Sequence, residues 1–329
     1  MLKTIKAKEL KIGMYIKISE SWFKHPFIKN EFVITHESQI EQIIKNKIKD
    51  VVIDTDKGIL KIENVENISH SDKNLTPPDT WQPDKLMPDD LKEAIRDTKM
   101  PKEEKAKRVY DASLRMMGKL LESPTAENIK TSKDVVSDLV DLILREPETS
   151  GYLLNITSHD YYTYTHSVNV GILSIMVSKE IFKNSDAHDM HELGAGFFLH
   201  DIGKTKVPPE IINKPGRLTD DEMFKMRTHP YQGYKILKEA DQLSEECKII
   251  VMQHHEREDG TGYPLRLKKD EIHPYGRIGC ISDVFDAITA ERSYKQAMSP
   301  FEALKLMKEQ MLHHFQEEIF SKFVLIFSK

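Results

Sequence analysis

Apolar residues form short alternating or β-branched runs in the first part of the chain, and beyond Pro101 they recur every three to four positions. Ile12-Gly-Met-Tyr-Ile-Lys-Ile18 alternates apolar and polar residues, as a half-buried strand does, and Phe32-Val-Ile34 and Val51-Val-Ile53 are short β-branched runs of the same kind. Between them, Ser38 to Lys47 carries isoleucines at 40, 43 and 44, the spacing of a short amphipathic helix. From Ser69 to Met100 the chain is rich in Pro, Asp, Asn and Thr, with prolines at 77, 78, 83 and 88, which predicts an extended linker. Helical spacing then runs over Lys102–Leu121 and Ser132–Leu144, with stops expected near Ser123-Pro124 and Glu146-Pro147. Further helices are expected at Thr165–Phe182, His188–His200, Asp220–Thr228, Tyr231–Ala240, Glu245–Glu256, Arg277–Thr289 and Pro300–His313, with a last one over the apolar run Phe320–Phe327. The pattern therefore predicts a mainly α protein: a small α/β N-terminal domain, with the linker and a connecting helix, over residues 1–128, and a helical domain over 129–329.

Composition refines this picture. The 329 residues exceed what one compact core usually needs, and 39% apolar with 31% charged residues fits helices with heavily charged outer faces. A formal net charge of −5 argues against a bulk electrostatic grip on long nucleic acid, though not against a local cation cluster holding one phosphodiester. Cys247 and Cys280 make neither a disulfide framework nor a cysteine metal site. The opening MLKTIKAKEL lacks the apolar stretch of a secretory signal, and no run of about 18 apolar residues occurs. A soluble cytoplasmic protein without membrane contact is expected.

The chemistry lies among the fourteen histidines. His166, His200-Asp201, His229, His254-His255 and Asp283 stand in short polar contexts, within or at the ends of different predicted helices, from which donors can converge. Imidazole nitrogen and carboxylate oxygen together suit Fe, Mn or Zn, and five histidines with two aspartates come close to what two ions require when one carboxylate bridges. The dipeptides His159-Asp160 and His313-His314 are read as ordinary surface features.

The surroundings of these residues are specific. Phe198-Leu-His-Asp-Ile-Gly-Lys204, then His254-His-Glu-Arg-Glu-Asp-Gly-Thr-Gly-Tyr-Pro264, then Ile281-Ser-Asp-Val-Phe-Asp-Ala287 occur in an order that resembles the HD-GYP family of metal-dependent phosphohydrolases. The resemblance covers roughly residues 130 to 315. Upstream, Glu9-Leu-Lys-Ile-Gly-Met-Tyr-Ile16, Ser21-Trp-Phe-Lys-His-Pro-Phe27 and Val51-Val-Ile-Asp-Thr55 resemble an uncharacterised domain that often precedes HD-GYP domains.

The resemblance implies an all-helical HD-type catalytic domain that opens a 3′–5′ linkage of cyclic di-GMP, giving the linear dinucleotide and, in some cases, the mononucleotide. It implies that His166, His200, Asp201 and Asp283 hold one divalent ion, Fe or Mn before other transition metals, and that Asp201 bridges to a second held by His229, His254 and His255. A water or hydroxide between the two cations, its pKa lowered, would attack phosphorus. Asp201 and Lys204 are thus the expected catalytic residues, with Lys204 neutralising a phosphate oxygen. Tyr263, Asp286, Arg292 and Lys295 join Lys204 as expected substrate contacts, Arg292 and Lys295 through an ERxYK-like segment and Asp286 from the substrate side or from behind a ligand. Some family members carry a glutamate four residues before the first histidine ligand and bind a third ion; here that position is Tyr162, a poor ligand at neutral pH, so two ions are expected.

Alternatives stay open at this level. The substrate could be 3′3′-cyclic GMP-AMP, or the domain could be a catalytically weak sensor of cyclic dinucleotides. A hydrolase of nucleoside phosphates is disfavoured by the Gly260–Pro264 loop and the Arg292/Lys295 pair. The N-terminal domain could regulate, cap the catalytic domain, or engage a second copy or a signalling partner. Its Trp22, His25 and Phe27 are read as core.

Overall fold

The structure is a computed structural model that describes residues 2–18, 31–34, 40, 43–44, 48–54, 89–156, 163–214, 216–290 and 297–328. It comprises two compact units, Met1–Thr80 and Trp81–Lys329.

The first unit is built on a four-stranded antiparallel sheet of β1 (Leu2–Lys6), β2 (Tyr15–Lys17), β3 (Glu31–Val33) and β4 (Asp50–Asp54), in the order β1-β4-β2-β3. Alternation places Val51 and Ile53 of β4 and Ile16 of β2 in a core with Ala7, Leu10, Ile18, Ile34, Ile43 and Ile48. The expected strand at 12–18 is shorter than its pattern, because Gly13, at φ 91°, makes the turn that donates to the Ile34 carbonyl at 2.7 Å. Strand β1 is missing from the sequence-based expectation: its Leu2-Lys-Thr-Ile-Lys6 shows no buried face. Of the expected helix at 38–47, only residues 40, 43 and 44 are described, and they are helical.

The second unit is helical. Its first helices are α1 (Asp89–Arg96), α2 (Lys102–Glu122), α3 (Ala126–Arg145), α4 (Pro147–Ile156), α5 (Thr163–Phe182) and α6 (Met190–Leu199). After them come α7 (Pro209–Ile212), α8 (Asp220–Met226), α9 (His229–Glu239), α10 (Glu245–Gln253), α11 (Pro274–Thr289), α12 (Pro300–Gln310) and α13 (Glu317–Leu325). One expectation is corrected here. The linker does not extend to residue 100, since α1 buries Leu91 and Ala94 in a core with Val109, Met116 and Leu120 of α2. The same packing puts α2 with the helical unit, and the compact units divide at Thr80. Pro147 also begins a helix where a stop is expected, because proline loses nothing at a first helical position, where the N–H has no intrahelical partner.

Helix α5 is apolar on nearly every side and is buried between neighbours, as its lack of a polar face requires. It packs against α6 and α11, and α6 packs against α10, so the helices bearing the candidate ligands form the centre of the unit. A buried ion pair joins α2 to the α3–α4 junction. Lys105, only 1% exposed, and Lys102 meet Glu146 at 2.7 and 2.9 Å, and the Thr149 hydroxyl donates to the same carboxylate. Among the described residues no helix is long and apolar enough to cross a membrane.

Candidate metal centre

Three of the candidate histidines stand at helix ends, and each uses Nδ1 to satisfy a carbonyl that the helix leaves without a partner. His200 caps α6 and donates to the Phe197 carbonyl at 2.7 Å. His254 caps α10 and donates to the Ile250 and Val251 carbonyls at 3.1 and 3.0 Å. His229 opens α9 and donates to the Met226 carbonyl of α8 at 2.8 Å. His166, in the first turn of α5, has its Nδ1 2.7 Å from Asp286 Oδ2. A carbonyl only accepts, so Nδ1 carries the proton and Nε2 offers a lone pair in the first three rings; the carboxylate of Asp286 fixes the same tautomer in His166.

These Nε2 atoms converge on Asp201, whose side chain is fully buried. His166 and His200 each approach its Oδ2 at 3.5 Å, while His229 and His254 face its Oδ1 at 3.3 and 3.8 Å. Asp283 on α11 reaches His166 with Oδ1 at 2.9 Å and His255 with Oδ2 at 3.3 Å. The donors form two groups, His166–His200–Asp201 and Asp201–His229–His254–His255, with Asp201 common to both. Lys204, one turn after Asp201 in the 3-10 segment Ile202–Lys206, pairs with Oδ2.

The arrangement fits divalent cations on several counts. His229 Nε2 and His254 Nε2 lie 3.1 Å apart with both protons held elsewhere, so two lone pairs oppose each other. That spacing is close to the roughly 3 Å between adjacent donors about 2.1 Å from one ion. His200 Nε2 and Asp201 Oδ1 are buried with no hydrogen-bond partner, which is costly unless a cation satisfies them. Burial would raise the pKa of Asp201, but the Lys204 ammonium beside it opposes this, and the carboxyl is held well below its ordinary range. Burial pushes His229 down to about 3 and His254 well below its ordinary value, so both rings are neutral and able to ligate.

Behind the candidate ligands lies a chain of polar side chains that sequence reasoning missed. Asp286 Oδ1 accepts from Asn169 Nδ2 at 2.7 Å, and Asn169 Oδ1 accepts from the Tyr110 hydroxyl at 2.7 Å. Asp286 is 3% exposed and both its oxygens are engaged inside the protein. The expectation that it meets substrate is therefore corrected: it stands behind His166 and orients the ring. No signal short of the fold relates positions 110 and 169 to 286.

The Gly260–Pro264 loop lies against the other side of the cluster. Tyr263 stacks on His255 with ring centroids 4.5 Å apart, and the Arg227 guanidinium lies 5.5 Å from the tyrosine ring centre. Burial, with the charges of Asp283 and Asp201, raises the phenol's pKa well above its ordinary value. The chain after the loop is held by Glu256, a second residue not singled out from sequence, which accepts from the amides of Leu265, Arg266 and Leu267 at 2.6, 3.1 and 2.9 Å. Gly262 permits the close return, since a Cβ there would sit 2.6 Å from Glu256 Cα and the His255 carbonyl oxygen. Gly203 does the same for the His-Asp motif, where a Cβ would lie 1.9 Å from the His229 carbonyl oxygen. The structure thus brings His166, His200, Asp201, Lys204, His229, His254, His255, Tyr263 and Asp283 together. Arg292, Lys295, Tyr162 and His159-Asp160 lie outside the described residues.

Comparison with known proteins identifies the family. The model of the HD domain matches residues 171–319, and that of a domain of unknown function, DUF3391, matches residues 2–130. Cyclic di-GMP phosphodiesterase PA4108 of Pseudomonas aeruginosa is 33% identical over 328 residues, 98% of this chain and 76% of that protein. The 3′3′-cGAMP-specific phosphodiesterase 2 of Vibrio cholerae is 40% identical over 122 residues, 37% of this chain and 23% of that protein. In fold, the chain is similar to Bd1817, an HDG"Y"P protein from Bdellovibrio bacteriovorus, with a TM-score of 0.61 and 17% identity, covering all of both chains. The match to PA4108 along nearly the whole chain, the HD-domain match and the His/Asp cluster together place this chain in the HD-GYP family of HD-domain, metal-binding proteins, behind an N-terminal DUF3391 domain.

Proposed function

We propose that this protein hydrolyses a 3′–5′ phosphodiester bond of a cyclic dinucleotide at a centre of two divalent ions, cyclic di-GMP being the first substrate to test. The observation that carries the reading is the division of Asp201: each oxygen faces a different pair of histidines, as a bridging carboxylate requires. His166 and His200 would hold one ion and His229, His254 and His255 the other, with Asp283, which touches both His166 and His255, completing the set. Ions bound there would supply Lewis acidity toward phosphoryl oxygen and lower the pKa of water. Iron or manganese is the metal proposed, from the mixture of imidazole and carboxylate donors.

The remaining roles belong to the chain's own groups. Lys204 keeps a positive charge at Asp201, where a non-bridging phosphate oxygen could take up one of its protons in a hydrogen bond. Tyr263, ordered by His255 and Arg227, offers a ring face and a protonated hydroxyl at the rim of the cluster. Arg292 and Lys295 are retained as proposed contacts to phosphate or guanine.

Similarity to a protein named as 3′3′-cGAMP-specific supports a second substrate reading. The test is turnover of cyclic di-GMP and 3′3′-cyclic GMP-AMP in parallel, by protein loaded anaerobically with Fe(II) or Mn(II). Hydrolysis of either supports the proposal and their ratio assigns the substrate; binding without turnover under both metals would overturn it in favour of a sensor. Anomalous scattering from crystals of the loaded protein tests the ion count, and three ions clustered on these seven ligands would overturn the two-ion reading.

A further inference from the structure

A second histidine/aspartate cluster lies outside the centre just described, and shares no residue with it. Asp259 begins the Gly260–Pro264 loop, while His313 and His314 sit in the 3-10 turn Leu312–His314. One oxygen of Asp259 is spent locally: Oδ1 accepts from the amide and hydroxyl of Thr261 at 2.9 and 2.7 Å. The other, Oδ2, faces His314 Nε2 at 3.6 Å and His313 Nε2 at 3.9 Å. These distances are too long for hydrogen bonds. They are close to the roughly 3.3–3.4 Å that separates ligand atoms placed 2.0–2.1 Å from one tetrahedral ion.

Other features point the same way. The three donor atoms lie within 4.8 Å of one another. Neither nitrogen of His314 has a hydrogen-bond partner among the described residues, and its Nδ1 is buried. The cluster is two imidazoles and one carboxyl group converging without satisfying each other.

We infer that Asp259, His313 and His314 form an accessory site for a single borderline divalent cation, zinc by preference, with three protein ligands and a solvent-filled fourth position. Two nitrogens and one oxygen are a donor set that zinc accepts readily. Such an ion would join two segments already linked by the Glu258 amide donating to the His314 carbonyl at 3.0 Å. One of those segments continues to Tyr263, which stacks on His255. The expected consequence of binding is a loop with less freedom at the rim of the central cluster.

The test is equilibrium dialysis of the full chain against zinc, with bound metal measured by elemental analysis in wild type, His313→Gln, Asp259→Asn and Asp201→Asn. His313 is 61% exposed on its side chain, so H313Q leaves the buried core untouched. The H313Q and D259N variants should each lose one zinc ion per chain, or bind it more than about tenfold more weakly, while D201N keeps that ion. Hydrogen exchange at loop amides 258–263 should slow with zinc in wild type and stay unchanged in H313Q. Wild-type stoichiometry and affinity in both H313Q and D259N would overturn the inference, as would loss of every bound zinc ion in D201N.

Discussion

Replacing Asp286 by asparagine preserves its shape and removes one hydrogen-bond acceptor, which tests whether the residue acts through His166. In the native arrangement Oδ2 accepts from His166 Nδ1 and Oδ1 from Asn169 Nδ2, both at 2.7 Å. An amide offers one oxygen and one NH2. If the NH2 faces His166, the imidazole proton must move to Nε2, where it points at Asp283 2.9 Å away and the nitrogen can no longer ligate. If it faces Asn169, that side chain must turn over, and the Tyr110 hydroxyl must then accept where it now donates. Exchanging a hydrogen bond to a charged acceptor, about 1.5–3 kcal/mol, for a neutral one of about 0.5–1.5 leaves a deficit of about 1–2 kcal/mol. Losing the partner that orients a metal-ligating histidine typically weakens metal binding by about 10–100-fold, or about 1.4–2.7 kcal/mol. The two ranges overlap, so Asp286→Asn should weaken Mn(II) binding by about 10–100-fold. Free Mn(II) followed by electron paramagnetic resonance during titration reads this directly, and saturating metal should restore much of the lost turnover. Asn169→Ala should shift affinity in the same direction but less, because it leaves the bond to His166 in place. Unchanged Mn(II) affinity in Asp286→Asn would refute the orienting role.

Glu146 carries a pH-dependent part of the stability. Its pKa falls from 4.5 to about 2, since the Lys105, Lys102 and Thr149 contacts outweigh burial, so its contribution is full above pH 4.5 and is lost as pH drops through about 2. Denaturation measured from pH 7 to pH 2 should show Glu146→Gln destabilised by about 2–3 kcal/mol at neutral pH, with a smaller decline into acid; a decline as steep as wild type would contradict this. Gly203→Ala must displace the His229 backbone, because the new Cβ would lie 1.9 Å from its carbonyl oxygen. It should cost about 1–3 kcal/mol by urea denaturation and weaken metal binding, and wild-type behaviour in both assays would rule out the close approach. Glu256→Gln keeps one acceptor oxygen and turns an NH2 toward a backbone N–H that needs an acceptor, so exchange at Leu265, Arg266 and Leu267 should rise with little change elsewhere. Unaltered exchange there would show that the carboxylate does not hold the loop.

Much of the candidate centre was legible because its proposed ligands fall in short motifs at helix ends. His200, His229 and His254 each cap a helix through Nδ1, so the pattern that marks the helix terminus also marks the proposed ligand. What stayed hidden depends on contacts between distant segments. Asp286 reads as a neighbour of Asp283 on one face of a helix, yet it reaches back to His166, 120 positions earlier. Tyr110 and Asn169 gain their roles only when α2 and α5 pack, and Gly203 is required by a backbone 26 residues later. Glu256 could have been noticed, since a loop rich in glycine and proline leaves amides that need an acceptor. In the fold, the helix at 89–96 was obscured by acidic and basic residues around Leu91 and Ala94. The boundary at Thr80 could not be placed because helical spacing does not reveal which core a helix joins.

The central claim is that Asp201 ties two ions into one hydrolytic centre. The most direct test is hydrolysis of cyclic di-GMP by wild type and Asp201→Asn, both loaded with Mn(II) and checked for folding by circular dichroism. Wild type should turn the substrate over, and the folded variant should lose more than about a hundredfold in rate, beyond the effect of losing an outer contact. A folded Asp201→Asn variant that hydrolyses at the wild-type rate would contradict the account.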